Sequence, residues 1–158
     1  MLQSFADLVS ELLLGYGMAL PDGPPQEVYI LHFDSQPPVH IVSSAESAHI
    51  NVLVEAGRLA TPPSVDQLLA LLELNTDKIA GQAATVTLHR PSSTAVVWTR
   101  QRRTALNAEG LRIMLDSVRN HAEFVRQRLT MHTASAPRQP HTTARLQMLM
   151  HPRHKPTS

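Results

Sequence analysis

Residues 64–75 read SVDQLLALLELN, and this stretch decides how the rest of the chain is interpreted. Ser64 and Gln67 have the spacing of a capping box, so the sequence predicts a helix that begins just after Ser64. Its leucines fall on two sides of a helix with 3.6 residues per turn, and a helix that is apolar on two sides must bury both. One side can cover a sheet. The other needs a neighbouring helix of the same subunit or a second copy of the chain, and we expect the second copy.

The apolar residues of this helix are the ones that we expect at a subunit interface. One stripe begins at Val65 and ends at Leu72, whereas Leu71 and Leu74 point to the opposite side. We predict that Leu71→Asp gives monomers or aggregates. The predicted homodimer interface consists of Val65, Leu68, Leu69, Leu71, Leu72 and Leu74.

The flanking sequence predicts two more helices and five strands. An amphipathic pattern after Ser4 predicts a first helix, and a last helix begins near the N-cap Asn107 and ends at Leu129. Alternation and β-branched residues predict strands at Val28–Phe33, Val39–Ser43, His49–Glu55, Ala84–His89 and Thr94–Arg100. Short connections favour antiparallel pairing. The predicted fold class is therefore α+β, in the order α-β-β-β-α-β-β-α, with helices packed on a five-stranded antiparallel sheet in a homodimer.

Charge divides the 158 residues into two parts. Residues 1–129 contain 13 Asp and Glu and 10 Lys and Arg, a net charge of −3, whereas residues 130–158 contain four Lys and Arg and no acid. A mildly acidic body argues against nucleic-acid binding. We predict one α+β domain over residues 1–129 and a disordered basic tail, with prolines and histidines, over residues 130–158.

The residue patterns that usually carry chemistry are missing from the sequence. There is no cysteine, and the nine histidines form no helical His-x-x-x-His pair or His-Glu-x-x-His motif. No glycine-rich phosphate loop is present. We therefore predict no enzymatic activity, no metal and no cofactor. No apolar run is long enough to span a membrane and the N-terminus does not resemble a secretory signal, so we expect a cytoplasmic protein without membrane insertion.

Two alternative functions remain open from the residues alone. An α+β domain of this size also serves as a regulatory module that binds a small ligand, which would require a compact apolar pocket with a few polar groups. A histidine-dependent metalloenzyme is the other alternative, since His32, His40, His49 and His89 lie on or beside predicted strands. We expect these four to be ordinary strand residues. Apolar surface in excess of one subunit's needs instead indicates recognition of a protein.

Four segments, taken in order, resemble a known family. They are FADLVSELL at residues 5–13, YILHFD at residues 29–34, LLALLELN at residues 68–75, and the stripe from Leu111 to Leu129. Together with the element order they resemble the CesT/Tir family of type III secretion chaperones. Members of that family are usually shorter and more acidic, so the basic tail is an addition to the pattern.

The resemblance implies a function as well as a fold. It implies a bacterial homodimer, built around the second helix, that binds unfolded N-terminal regions of secreted effector proteins and delivers them to the secretion-system ATPase. It also implies apolar docking patches on the first helix and the sheet. The candidate effector-binding groove consists of Phe5, Leu8, Val9, Leu12, Val28, Ile30 and Ile41.

Overall fold

The computed structural model describes residues 4–20, 22–43, 48–75 and 84–134 of the chain. The helices and strands follow in the predicted order α-β-β-β-α-β-β-α. The helices are α1 (Phe5–Gly15), α2 (Val65–Glu73) and α3 (Ala108–Ala134). The strands are β1 (Val28–Leu31), β2 (Val39–Val42), β3 (His49–Arg58), β4 (Thr85–His89) and β5 (Thr94–Arg102). Among these described helices, none is both long enough and apolar enough to cross a membrane.

Side-chain caps fix where the helices begin. At α1, the Ser4 hydroxyl accepts a hydrogen bond from the backbone N–H of Asp7 at 3.1 Å, and the Asp7 carboxylate accepts one from the Ser4 N–H at 3.2 Å. Ser64 and Gln67 make the same reciprocal pair at α2, at 3.2 and 3.1 Å. The Asn107 side chain accepts a bond of 2.7 Å at the start of α3. These caps satisfy N–H groups that have no partner within the helix, which confirms all three predicted helix starts.

The five strands form one antiparallel sheet in the order β1-β2-β3-β5-β4, so β1 and β4 are its edge strands. The central pair, β3 with β5, is longer than predicted and extends to Arg58 and Arg102. A register shift between Glu55 and Gly57 interrupts it. The extra residues are Ala56, Gly57 and Arg58 on β3 and Gln101 and Arg102 on β5, which show no apolar alternation; backbone pairing between neighbouring strands extends the ladder.

All three helices lie on one side of the sheet. Strand alternation turns one set of side chains towards α3, and this set supplies the buried strand residues Tyr29, Leu31, Val39, Ile41, Ile50, Val52, Val54, Ala56, Val86, Ala95, Val97 and Thr99. From α3, Leu111, Met114, Leu115 and Val118 are fully buried against them. The helix continues to Ala134, five residues past the predicted end of the domain at residue 129. The core is therefore a two-layer sandwich of helices on one face of a sheet.

Candidate protein-binding surfaces

The outer side of α2 is an exposed apolar stripe. Val65, Leu68, Leu69 and Leu72 are 71, 38, 51 and 64 % exposed. They are spaced i, i+3, i+4 and i+7, which places them on one helix face. We call these four residues the α2 stripe. Globular subunits rarely expose several large aliphatic side chains side by side, which makes the α2 stripe a candidate contact surface.

The other side of α2 corrects part of the predicted interface. Leu71 and Leu74 are buried, with exposures of 6 and 4 %, and they belong to the core of their own subunit. They share the inward side with Gln67 and Ala70, at the same i, i+3, i+4 and i+7 spacing. The sequence contains two equivalent stripes and does not say which one faces the core. The inward stripe includes the small residue Ala70, and α2 contacts α3 and β4.

A groove of about 230 Å³ separates the α2 stripe from the edge strand β4 and is lined by Leu68, Leu72 and Leu88 among others. Asn75 closes part of this edge. Its side-chain amide accepts a bond from the Val86 N–H at 2.7 Å and donates one to the Val86 carbonyl at 3.0 Å. Asn75 thus occupies the position of a residue on an added strand, and it blocks backbone pairing at this point of β4.

Most of the predicted effector-binding groove lies inside the subunit. Five of its seven residues are core residues, with exposures between 0 and 8 %. The prediction that they line a surface groove is wrong, because the apolar face of α1 packs on the sheet and on α3. The corrected residues are Phe5, Leu8, Val9, Leu12 and Ile41. The two that remain on the surface are Val28 and Ile30, at 42 and 51 % exposed.

Val28 and Ile30 lie on the edge strand β1. The Ser43 N–H donates to the Glu27 carbonyl at 2.9 Å, so Glu27 forms a hydrogen-bonded pair with β2. Antiparallel pairing alternates, and the backbone N–H and C=O groups of Val28 and Ile30 therefore point away from the sheet. Beside this edge is a groove of about 210 Å³, lined by Leu13 and Met18 among others. An extended peptide could pair with the β1 backbone and place side chains in the groove.

The second side of the sheet faces away from the described helices. The register aligns Ile30, His40, Leu53, Trp98 and Thr85 across the five strands on this side. Every one of them is exposed or half-buried. We call this side of the sheet the open face; its large apolar side chains are Val28, Ile30, Val42, Leu53, Val96 and Trp98. Strand alternation alone could not reveal which of the two sides the helices leave uncovered.

A polar cluster holds α1, α3 and the β1–β2 turn together. The Tyr16 hydroxyl donates to the Asp116 carboxylate at 2.8 Å, and burial together with this bond raises the pKa of Tyr16 to about 12. The Arg119 guanidinium stacks 3.8 Å from the centre of the Phe33 ring and donates to the Gln36 side chain at 2.6 and 3.0 Å. These contacts fix the turn that follows β1 and so support its exposed edge.

The described residues offer little to a metal or a small ligand. In this part of the chain no three His, Asp or Glu side chains gather as a metal site would require. His32, His40 and His49 lie at or near the open face, and a guanidinium nitrogen of Arg100 is 3.2 Å from His49 Nδ1. The two grooves described above are open troughs at the sheet edges, unlike the enclosed cavities that bury most of a small ligand.

Comparisons with known proteins agree on the fold. No protein-family model matches the chain, and no curated protein matches it by sequence. The structure of the Yersinia pestis type III secretion chaperone SycH, in complex with a stable fragment of YscM2, matches with a TM-score of 0.60. That match has 17 % identity and covers 77 % of this chain and 99 % of the other. The chain has the type III secretion chaperone fold.

Two further structures have this fold. A chain of the heterodimeric ExoU–SpcU complex, from the type III secretion system of Pseudomonas aeruginosa, matches with a TM-score of 0.59 and 17 % identity, over 77 % of this chain and 97 % of the other. A chain of the HopA1–SchA chaperone–effector complex matches with a TM-score of 0.59 and 11 % identity, over 76 and 91 %. The fold is shared at sequence identities of only 11 to 17 %.

Sequence reasoning missed several surface residues of this fold. The sequence pattern places Leu53 on the side of its strand opposite Ile50, Val52 and Val54, but Leu53 is not among the predicted site residues. It assigns no face to Val96 and Trp98, and it gives Asn75 only as the end of a helical segment. The alternation of β3 and β5 does place Leu53 and Trp98 opposite the buried set. Their exposure depends on where the helices pack, which a strand pattern does not contain.

Proposed function

We propose that this chain is a homodimeric chaperone that binds the unfolded N-terminal segment of type III secretion effectors in the bacterial cytoplasm. It keeps the segment competent for secretion and presents it to the secretion-system ATPase, without chemistry or a cofactor. One observation carries the proposal: the fold is that of SycH and of a chain in the HopA1–SchA chaperone–effector complex, and apolar surface remains uncovered on this subunit.

Dimerisation is assigned to the α2 stripe. Its four exposed aliphatic residues lie next to the groove along β4, so two copies related by a twofold axis can bury both stripes against each other. Asn75 supports this geometry because it blocks the backbone of β4 at Val86, which favours side-chain packing over a continuous sheet. The corrected interface therefore consists of Val65, Leu68, Leu69 and Leu72.

Client binding is assigned to β1 and the open face. The β1 backbone points outward at Val28 and Ile30, and an extended client can add a strand there. Recognition through backbone groups tolerates many sequences, whereas the adjacent groove and the open face select apolar side chains at alternate positions. An unfolded segment offers both free backbone groups and exposed apolar side chains, because neither is yet used in a fold of its own.

Co-expression tests the proposal. The chain is produced with the N-terminal segment of each effector secreted by the same bacterium, and complexes are purified through a tag on the segment. We expect at least one segment to co-purify with two copies of the chain, measured by light scattering. Ile30→Asp should abolish co-purification, because it places a carboxylate on the β1 edge.

The matched control is Ile113→Asp on the outer side of α3, since Ile113 is 47 % exposed and Ile30 is 51 % exposed. That variant should bind as the wild type does. The proposal fails if no effector segment co-purifies with the folded chain. The assignment of the β1 edge fails if both variants bind equally well.

A further inference from the structure

The open face carries positive charge at the end where β3 begins and β5 ends. Where β3 begins, His49 pairs in register with Arg102, and Arg100 contacts the His49 ring. The described strands place one carboxylate on this face, Glu55, which lies six residues further along β3. At about 3.3 Å per residue it is about 20 Å from His49. Glu27 lies near the first end, but strand alternation places it on the helix side with Tyr29. One end of the open face is therefore cationic.

The cationic end adjoins the apolar part of the same face. Trp98 and Arg100 are two residues apart on β5, so they point to the same side and their Cα atoms are about 7 Å apart. Leu53 lies opposite Trp98 on β3. An extended segment laid along β5 could therefore place one side chain against the Trp98 ring and the side chain two residues further along near the Arg100 guanidinium.

We propose that the open face selects client segments that carry carboxylates beside their apolar side chains. The apolar side chains pack on Leu53 and Trp98, and the carboxylates bind Arg100 and Arg102. This inference rests on the proposed function and narrows it, from unfolded segments in general to acidic amphipathic ones. Arginine suits the role because its guanidinium holds a carboxylate through two parallel hydrogen bonds.

Charge favours this occupant over the two others that the chain itself could provide. Residues 130–158 contain four Lys and Arg and no acid, so the chain's own tail is repelled from the cationic end. A second copy would bring the same excess of arginines over carboxylates to the face, and the proposed dimer already uses the α2 stripe. Complementarity across the face requires a partner with an excess of carboxylates.

Three synthetic peptides test the inference on the full chain. They have equal length and identical apolar residues, and the variable positions lie two residues from an apolar residue, on the same side of the extended peptide. These variable positions are all Glu, all Gln or all Lys. Trp98 is the one tryptophan of the chain, so its fluorescence reports binding at the open face. Two partly exposed ion pairs should make the Glu peptide bind roughly 2- to 30-fold more tightly than the Gln peptide, and the Lys peptide should bind most weakly.

Variants assign that preference to the arginines. The double variant Arg100→Gln and Arg102→Gln should bind the Glu and Gln peptides with equal affinity. The control Arg90→Gln, in the turn between β4 and β5, should keep the tighter binding of the Glu peptide. The double variant Arg100→Lys and Arg102→Lys retains the positive charge and should keep part of the preference for the Glu peptide. Because it removes the same two arginines, it separates the loss of charge from a folding defect in the Gln variant. Added salt should shrink the difference.

Three results would overturn the inference. The peptides could bind equally, the Glu preference could survive in the Arg-to-Gln double variant, or none of the peptides could change the Trp98 fluorescence. None of these results decides the chaperone function, which is judged by co-purification of effector segments. If segments co-purify and the peptides bind equally, the chain is a chaperone without charge selectivity at this face.

Discussion

The variant Leu72→Asp tests whether Leu72 belongs to the dimer interface and not to the core of its own subunit. Leu72 is 64 % exposed in the α2 stripe, so within one subunit the change leaves the fold intact, as exposed substitutions usually do. In the proposed dimer the same side chain is buried against the partner. We therefore expect a folded protein whose dimer dissociates.

The size of the effect follows from the exposed fraction. Burying a whole leucine side chain contributes about 1.5–3 kcal/mol, and Leu72 has 64 % of its surface left to bury. This gives about 1–2 kcal/mol per subunit and about 2–4 kcal/mol for a symmetric pair. The dimer dissociation constant should rise by roughly 30- to 1,000-fold. Burying the new carboxylate raises it further.

Sedimentation across a dilution series measures this constant. The matched control is Leu14→Asp on α1, since Leu14 is 63 % exposed and lies outside the α2 stripe. It should dimerise like the wild type, and circular dichroism should be the same for all three proteins. The reasoning is refuted if Leu72→Asp and wild type dimerise equally, or if the wild type is a monomer at every concentration tested.

Three further predictions concern the fold that supports these surfaces. Leu71→Asp should lose the thermal unfolding transition, because removing a buried leucine alone costs about 2–5 kcal/mol and the carboxylate adds to it; a folded monomer would contradict the burial of Leu71. Asn75→Leu should lower the free energy of unfolding by about 1–3 kcal/mol in urea titrations, since two bonds to Val86 are lost, and an unchanged midpoint would count against this role. The pKa of Tyr16 is raised from 10.0 to about 12 in the folded chain, so its contribution to stability is complete below pH 10 and is lost as the pH rises to about 12. The free energy of unfolding should therefore fall more steeply over that range in the wild type than in Tyr16→Phe, and parallel curves would exclude the effect.

Local signals in the sequence were enough to predict the fold. The Ser4 and Ser64 caps, the amphipathic first and last helices and the alternation of five strands each specify a local structure, and the structure confirms their order. Local patterns were weaker at the ends of elements, where β3 continues to Arg58 and α3 to Ala134. There the residues show no clear apolar period, and long-range pairing and packing determine the boundary.

The candidate site was less predictable because exposure is a property of the assembled layers. The apolar face of α1 looks the same whether it binds a client or its own sheet, and it packs on the sheet. The two stripes of α2 have equal spacing, and the choice of Leu71 over Leu72 for the core depends on the position of α3. Val28 and Ile30 were predicted as site residues and lie on the surface, because their side chains point to the side of β1 that the described helices leave uncovered.

Hydrogen exchange of a co-purified effector segment tests the central claim most directly. The account predicts that the free segment exchanges its amide hydrogens at the rate of an unfolded chain. In the complex it should gain protection, and the chain itself should become protected at Val28 and Ile30, whose N–H groups point away from the sheet. The account is contradicted if the free segment is already protected as a folded domain and keeps the same pattern when it binds, because the chain would then recognise a folded protein.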